Sequence, residues 1–295
     1  MAIKLCVPFY NEHLISGINI RESAKWVDEI HVTECNYSFK YTPHLYEFNF
    51  EDEKKVFYHK LDGNKFYKKP RKVIPHIDFH PVTRWIKNIY FKTNWYNDAV
   101  SRNHSLWNSN YDDNDILILS DIDEIINYKY FDEIIETVKK TGIVTINLYF
   151  TVFYFNLLCP NFGGAPHYSY RTFIVRGDVM RKKFFNDSDY LRKMGESGKL
   201  MNEITCLSGY KGWHHSWLGD EHFIMNKLNS YAHSLNEHTS DLIDDNGKLS
   251  LKKIKEHLKY GKSIFNGSEL IIDNTIPLLE EVKKLKITHP QYFIY

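Results

Sequence analysis

The sequence predicts an α/β fold, a mixed and mainly parallel sheet sandwiched by helices with a helical extension at the carboxyl end. Two observations predict it. Strand-like apolar runs alternate with helix-period segments through the first half of the chain, and Asp115-Ile116-Leu117-Ile118-Leu119 is apolar at every position after the first. An unbroken apolar run suits a strand covered on both faces. Strands alternating with helices imply parallel pairing through right-handed crossovers. In such sheets ligands bind beyond the carboxyl ends of the strands, so the polar residues that follow each strand are the ones to examine.

Taken in order, Ile3–Phe9 reads as the first strand and runs into Pro8-Phe9-Tyr10-Asn11-Glu12. Residues 13–26 read as a helix with Leu14, Ile15, Ile18 and Trp26 on one face. Residues 29–33 and 55–61 read as the second and third strands, the second closing at Glu34. A helix is expected over 94–107, a fourth strand over 115–119, a helix over 131–140, and a strand restarting at Ile143 after Gly142. Residues 62–81, with Lys65, Lys68, Lys69, Arg71, Lys72 and three prolines, read as a loop, as do 160–170. Residues 178–200 read as charged and irregular, and helices are expected over 220–237, 250–259 and 276–286. No repeat or low-complexity tract interrupts the pattern. The organisation expected is one domain over 1–240 with an extension over 241–295 packed on it.

The 295 residues suffice for one large α/β domain. Lys plus Arg is 38 against 37 Asp plus Glu, and that balance gives no global reason to expect nucleic acid. Aromatic content of 16% supplies core rings first, and stacking surfaces for a sugar or base second. Cys6, Cys35, Cys159 and Cys206 form no CxxC pair, which argues against a zinc site and for free thiols in a reducing compartment. The amino terminus goes straight into a strand pattern, and the most apolar stretch, 143–158, carries Asn147 and Asn156. A cytoplasmic chain without a signal peptide or transmembrane segment is therefore expected. The sequons at Asn36, Asn103, Asn186 and Asn266 then read as chance matches.

The strongest local signal is Ser120-Asp121-Ile122-Asp123-Glu124-Ile125, three carboxylates within four positions directly after the buried strand. Like charges this close repel unless a cation or water compensates. In an extended segment Asp121 and Asp123 share a side, and two such carboxylates with diphosphate oxygens and water make an oxygen site for Mg²⁺ or Mn²⁺. The plainer reading is a strand-end turn in which Asp123 caps a helix. Pro8 to Glu12 could form the floor of a nucleotide pocket, or Asn11 could simply cap the first helix. Gly212-Trp213-His214-His215-Ser216-Trp217 offers imidazole to a metal and indole to a base or sugar. A polar stripe of Lys227, Ser230, His233 and Glu237 follows, which either meets solvent or closes over phosphate.

Together these motifs resemble glycosyltransferase family 17, known for β-1,4-mannosyl-glycoprotein β-1,4-N-acetylglucosaminyltransferases. The resemblance runs in order through Asn11-Glu12 and Arg21, Val27-Asp28 and the strand ending at Glu34, Arg102, the Ser120 to Ile125 segment, the Gly212 to Trp217 segment, and Lys227 to His233. It covers about residues 5–240. It implies a GT-A-like (Rossmann-like) fold, a UDP-sugar donor such as UDP-N-acetylglucosamine, Mn²⁺ or Mg²⁺, a carbohydrate acceptor, and inversion at the anomeric carbon. Carried over, Asp121 and Asp123 flank the metal, and His214 either completes its shell or touches the diphosphate. Pro8, Asn11, Glu12 and Glu34 face the nucleoside, Arg102 and Trp213 belong to the donor site, and Lys227 and His233 neutralise the departing phosphate. The chain departs from the family pattern in lacking the Golgi anchor of animal members, in having Ile126 where Pro is frequent, and in the last 55 residues, which match no motif. A base well after the acidic motif is expected for single displacement, with Glu203 and Asp220 as candidates. Two rival classes share some of these features: a metal-dependent nucleotidyltransferase or phosphotransferase, and a non-catalytic carbohydrate-binding protein.

Overall fold

The computed structural model describes residues 1–69, 81–160, 171–230, 240–264 and 269–295, without the side chains of 81–92 and 240. Its centre is one mixed sheet. Four strands, β1 (Ile3–Phe9), β2 (Glu29–Cys35), β3 (Val56–Leu61) and β4 (Ile116–Leu119), pair in parallel in the order β3-β2-β1-β4. Beyond β4 the sheet continues antiparallel through β8 (Phe173–Arg176) to β6 (Ile143–Val152), then β7 (Leu157–Leu158) and β10 (Ile271–Ile272). Strand β9 (Thr205–Ser216) runs parallel to β6 and carries β5 (Glu124–Ile126) antiparallel on its other side.

The strand at 115–119 shows why an unbroken apolar run was required. Ile116 and Ile118 face one layer, with Ile20 and Trp26 from α1 (His13–Ser23) and its end, and Ile134, Ile135 and Val138 from α4 (Phe131–Thr141). Leu117 and Leu119 face the other layer, with Leu106 from α3 (Pro81–Asn108), Met180 and Phe184 from α5 (Gly177–Phe184), and Leu191 from α6 (Ser188–Glu196). Alternate side chains of a strand point to opposite faces, so both faces need apolar residues when helices cover both. Each such side chain contributes about 1.5–3 kcal/mol relative to an exposed one.

Several expectations are revised. The segment 178–200, read as irregular, forms α5 and α6. Its apolar residues Met180, Phe184 and Leu191 are few but fully placed, and Asp187 caps α6 by accepting from the Tyr190 N–H at 2.9 Å. Dense charge on the outer face hid the period. The helix expected at 94–107 begins at Pro81, a residue suited to a first helical position because its missing N–H would have no partner there. Within 62–81, Gly63–Phe66 is a single helical turn (α2), and 70–80 lies outside the described residues. Strands β5, β8 and β9 went unread, because β9 mixes polar and glycine residues and β5 is three residues long.

The last third of the chain adds α7 (Glu221–Ser230), α8 (Leu251–Lys259) and α9 (Glu280–Thr288). The remainder of the helix expected over 220–237, and the loop at 160–170, lie largely outside the described residues. Ile254 and Leu258 of α8 pack with Trp217, Ile224 and Leu228, while Val282 of α9 packs with Ile15, Ile18 and Trp213. The carboxyl segment thus shares two apolar clusters with the strands and helices that precede it. None of the four cysteines forms a disulfide, and among the described residues no helix is long and apolar enough to cross a membrane.

Gly212 marks the closest approach within the sheet. A Cβ there would lie 2.0 Å from the Ile125 carbonyl oxygen, so only glycine lets β9 close on β5. Gly212→Ala is expected to cost about 1–3 kcal/mol of stability, the range for overpacking a tight site. Urea unfolding of both proteins checks this, and an unchanged midpoint would refute the contact.

Candidate active site

The parallel strand order reverses between β1 and β4, where open α/β sheets gather their ligands. Two loops leave the sheet there, Pro8 to Glu12 from β1 and Ser120 to Glu124 from β4. The second is a tight turn. The Glu124 N–H donates to the Asp121 carbonyl at 3.0 Å, and the Asp121 N–H donates to the Glu124 carboxylate at 3.0 Å. Asn19, buried on α1, pins the turn from below by donating to the carbonyls of Ile122 at 2.8 Å and Glu124 at 3.2 Å. Thr172 adds a hydroxyl to the Glu124 carboxylate at 2.8 Å.

The turn hands the chain to β5, whose register sets Glu124 opposite His214 of β9. Strand alternation then sorts the motif Trp213-His214-His215. His214 faces the acidic turn, with Nε2 at 3.4 Å from Asp123 Oδ1 and Nδ1 at 3.9 Å from Glu124 Oε1. Trp213 and His215 face the opposite way. The Trp213 indole is buried among Ile15, Ile18 and Phe155 and donates to the Pro277 carbonyl, so it is a core residue here and not the donor contact expected of it. The His215 ring meets the Thr151 hydroxyl at 2.6 Å and stands edge-on to Phe155. Burial pushes the His215 imidazole down to about 3, which leaves it neutral. Burial also works against charge on His214, but the carboxylates of Asp123 and Glu124 outweigh it and raise its pKa.

Asp121 and Asp123 have different partners. Arg102 binds one Asp121 oxygen and Arg192 the other, the latter at 2.8 Å. Arg102 also faces Asp98 at 3.2 Å, and Arg192 faces Glu196 at 3.0 Å, so charges alternate through a mostly half-buried row. Burial favours the neutral form of Asp121, yet the two guanidiniums hold it far below the usual carboxylate range. Asp123, 4% exposed, meets His214 and lies 4.0 Å from the Lys227 ammonium. Burial opposes its charge and His214 more than restores it, lowering its pKa. Lys227 in turn binds Glu12 and lies over the Trp217 ring, 4.8 Å from its centre. Burial lifts the Glu12 carboxyl to about 7 despite Lys227. Glu12 occupies the position before α1 but does not cap it, since its side chain goes to Lys227. Asn11 and Trp217, flanking this set, both have left-handed backbone, with φ of 59° and 61°. Strain of this kind persists where surrounding contacts over-determine the conformation.

Two cavities open on the set. A small one of about 20 Å³ behind Asp121 is lined by Pro8, Ser120, Arg102, Arg171 and Arg192. A larger one of about 630 Å³ lies beyond Glu12.

The structure therefore gathers Pro8, Glu12, Arg102, Asp121, Asp123, His214 and Lys227, while Asn11 lines the larger cavity. His233 lies outside the described residues. Glu34 is fully buried and committed, accepting from the N–H groups of Glu47 and Phe48, the Tyr58 hydroxyl and His44. It shapes the loop after β2 and presents no free oxygen to a nucleoside. Glu203 pairs with Lys183 at 2.8 Å on the surface. It precedes β9 at the end remote from His214: the β6 partners of Thr205 and His214, Val144 and Phe150, are six positions apart (150 less 144), about 20 Å at about 3.3 Å per residue, which removes it as a base. Asp220 lies in the wall of the larger cavity, and one of its oxygens accepts from the Phe223 N–H to start α7.

Sequence reasoning missed Arg192, Asn19, Glu124 and Thr172. Arg192 sat in a stretch read as irregular, and Glu124 was counted as a third charge without its orienting role. Asn19 carried a signal, a carboxamide with Ser16 and Ser23 one helical turn to either side, a polar row on a helix whose other faces carry isoleucines.

Among the described residues no group of three or more His, Cys, Asp or Glu side chains is arranged to hold a metal ion. The donor set still suits a hard cation that takes one or two protein ligands and completes its shell with phosphate oxygens and water. Asp123 and His214 supply such a pair, whereas both Asp121 oxygens are engaged by guanidiniums.

No protein-family model and no curated protein matches the chain. Among solved structures it is similar to S. aureus TarS. A TarS 1-349 structure shares 13% identity over 79% of this chain and 67% of that one, with a TM-score of 0.37. A longer TarS structure gives 13%, 79%, 41% and 0.40, so this chain spans less than half of it. TarS 1-349 in complex with UDP-GlcNAc gives 11%, 77%, 64% and 0.35. The likeness is distant throughout, and the geometry of the site carries the reading that follows.

Removing one member of a buried ion pair strands the other charges, at a cost of about 3–5 kcal/mol. Asp121→Ala is expected to destabilise the protein by about that amount, and Asp123→Asn by clearly less. Chemical denaturation of the two variants compares them, and equal losses would contradict the different roles read from their partners.

Proposed function

We propose that this chain is a glycosyltransferase of GT-A-like fold that moves a sugar, N-acetylglucosamine in the first instance, from a UDP-sugar to a carbohydrate hydroxyl with inversion. The observation that carries the proposal is the set of half-buried Glu12 and Lys227 with buried Asp123 and His214 at the strand-order reversal, beside an Asp121 fixed by two arginines. The ordered motif resemblance to family 17 supports the same reading, and the UDP-GlcNAc complex of the distant neighbour TarS suggests the donor to try first.

Asp123 and His214 would hold Mn²⁺ or Mg²⁺, with Glu124 behind His214 Nδ1 as the partner that orients a metal-bound imidazole. When bound, the cation supplies charge against the negative charge that develops on the diphosphate. Lys227 brings an ammonium to the same place. Asp121, held by Arg102 and Arg192, fixes the turn whose backbone faces the nucleotide, and Pro8 and Asn11 form the floor. The acceptor oxygen bonds to the anomeric carbon from the face opposite the diphosphate, and the bond from that carbon to the phosphate oxygen breaks. Its electron pair leaves with the nucleoside diphosphate, and the hydroxyl proton passes to a carboxylate. Asp220 and Glu12 both line the cavity on that side. General-base help is worth about 10²–10⁴-fold.

A thermal-shift panel of nucleotide sugars with and without Mn²⁺ tests the reading, since a ligand of the native state raises the melting temperature. UDP-sugars should shift it, and more so with Mn²⁺. No shift with any nucleotide sugar would sink the proposal. Where transfer is measured, EDTA should inhibit and Mn²⁺ restore it; undiminished activity in EDTA would remove the metal role. Asp123→Asn should lower kcat by about 10²-fold or more. His214→Ala should cost more activity than His215→Ala, whose loss should fall mainly on stability. The reverse ranking would refute the orientation assigned to the two rings.

A further inference from the structure

Most of the larger cavity lies beyond the donor site, with which it shares Asn11 and Glu12. It is about 630 Å³, inside the range of about 300–1,000 Å³ typical of small-molecule sites. Its walls come from three parts of the chain: the loop after β1, the turn between β9 and α7, and the carboxyl segment with α8 and the final turn at Pro290–Tyr292. From these, we infer that the cavity is the acceptor site, and that it takes a neutral oligosaccharide; the inference rests on the glycosyltransferase reading above.

The chemistry of the lining favours a sugar over a second nucleotide. Tyr154, Phe223 and Tyr292 are half-buried, so each keeps part of a ring available to the C–H face of a pyranose. Glu12 and Asp220 offer acceptors to hydroxyl groups, and Lys259 offers a donor at the rim. The cavity's other ammonium, Lys255, is bound to Glu221 at 3.2 Å, so the lining lacks the cationic excess a phosphate requires. Glu12 joins the two halves of the site: it lines the cavity, and its carboxylate binds the same Lys227 that lies 4.0 Å from Asp123. A hydroxyl held against Glu12 therefore sits one side chain from the acidic turn.

This placement also gives the last 55 residues a purpose. They match no donor motif, and they build the outer wall of the cavity through Lys255, Leu258, Lys259 and Tyr292. Acceptor choice would then be written in the carboxyl segment while donor handling is written before residue 230.

Saturation-transfer NMR on the full chain tests the assignment, using cellobiose, mannobiose, lactose and chitobiose as probes, with and without UDP and Mn²⁺. At least one disaccharide should bind to the wild type. Its affinity should fall at least tenfold in Lys259→Trp, which places a large ring at an exposed wall position, and in Tyr292→Ala, which removes a stacking face. Melting curves of both variants identify any loss of fold, and Lys259 is exposed enough that its replacement leaves the core untouched. Saccharide binding undiminished in the folded variants, or no saccharide binding at all, overturns the assignment. UDP-GlcNAc binding to the wild type is read in parallel: saccharide binding without it would leave the cavity in place and remove the donor reading, and donor binding without saccharide would do the opposite.

Discussion

The pairing of β5 with β9 is the constraint on which the site depends. Three residues after the acidic turn cross to a distant strand, and their register fixes Glu124 against His214. Without that register, Asp123 would have no imidazole facing it, and the Trp213 and His215 rings would have no reason to point into the core. Because side chains alternate along a strand, a slip of one residue would put Trp213 or the neutral His215 ring in place of His214 and turn His214 into the core. Gly212 allows the approach and Asn19 holds the turn from the helix side.

Electrostatics divides the two aspartates. Asp121 belongs to a row of alternating charges, Asp98, Arg102, Asp121, Arg192 and Glu196, and is held as a structural anion. Asp123 belongs to a looser set with His214 and Lys227 at 3.4 and 4.0 Å. Charges in a low-dielectric interior are costly unless neighbours compensate them, so the tight set is a rigid support and the loose one is the part open to rearrangement around a ligand. The same logic explains Glu12, whose ammonium partner only partly offsets burial, leaving its carboxyl near neutrality.

Much of the parallel half of the fold could be read from sequence, because β1 and β4 are short apolar runs with clear ends, and β2 and β3 are rich in strand-forming residues between polar breaks. The acidic turn and Lys227 were readable for the same reason: each follows an element whose period is plain. The antiparallel half was not. β9 carries Ser208, Gly209, Tyr210 and Lys211 in its middle, which break the alternation, and its register against β6 shifts there. Missing β9 as a strand had a direct consequence, since Trp213 was then assigned to the donor and His214 to the metal of one site, when alternation sends the two side chains to opposite faces. Glu203 failed as a base on the same account, for nothing local marks which end of an unrecognised strand a carboxylate occupies. Arg192 was hidden because its partner Asp121 lies 71 positions earlier (192 less 121), a relation no local pattern contains.

The end of the chain is tied down by Asn156, which donates to the Ile294 carbonyl at 2.8 Å and accepts from its N–H at 3.0 Å. Tyr292, two positions earlier, is in the cavity wall, whereas Ala2 and Ile3 are bound to Asp115 and Asp28 at the amino edge of the sheet. An affinity tag or fusion partner attached after Tyr295 therefore leaves the chain three residues beyond a wall residue of the cavity, while the same appendage before Met1 leaves it beside Asp115 and Asp28 at the amino ends of the strands.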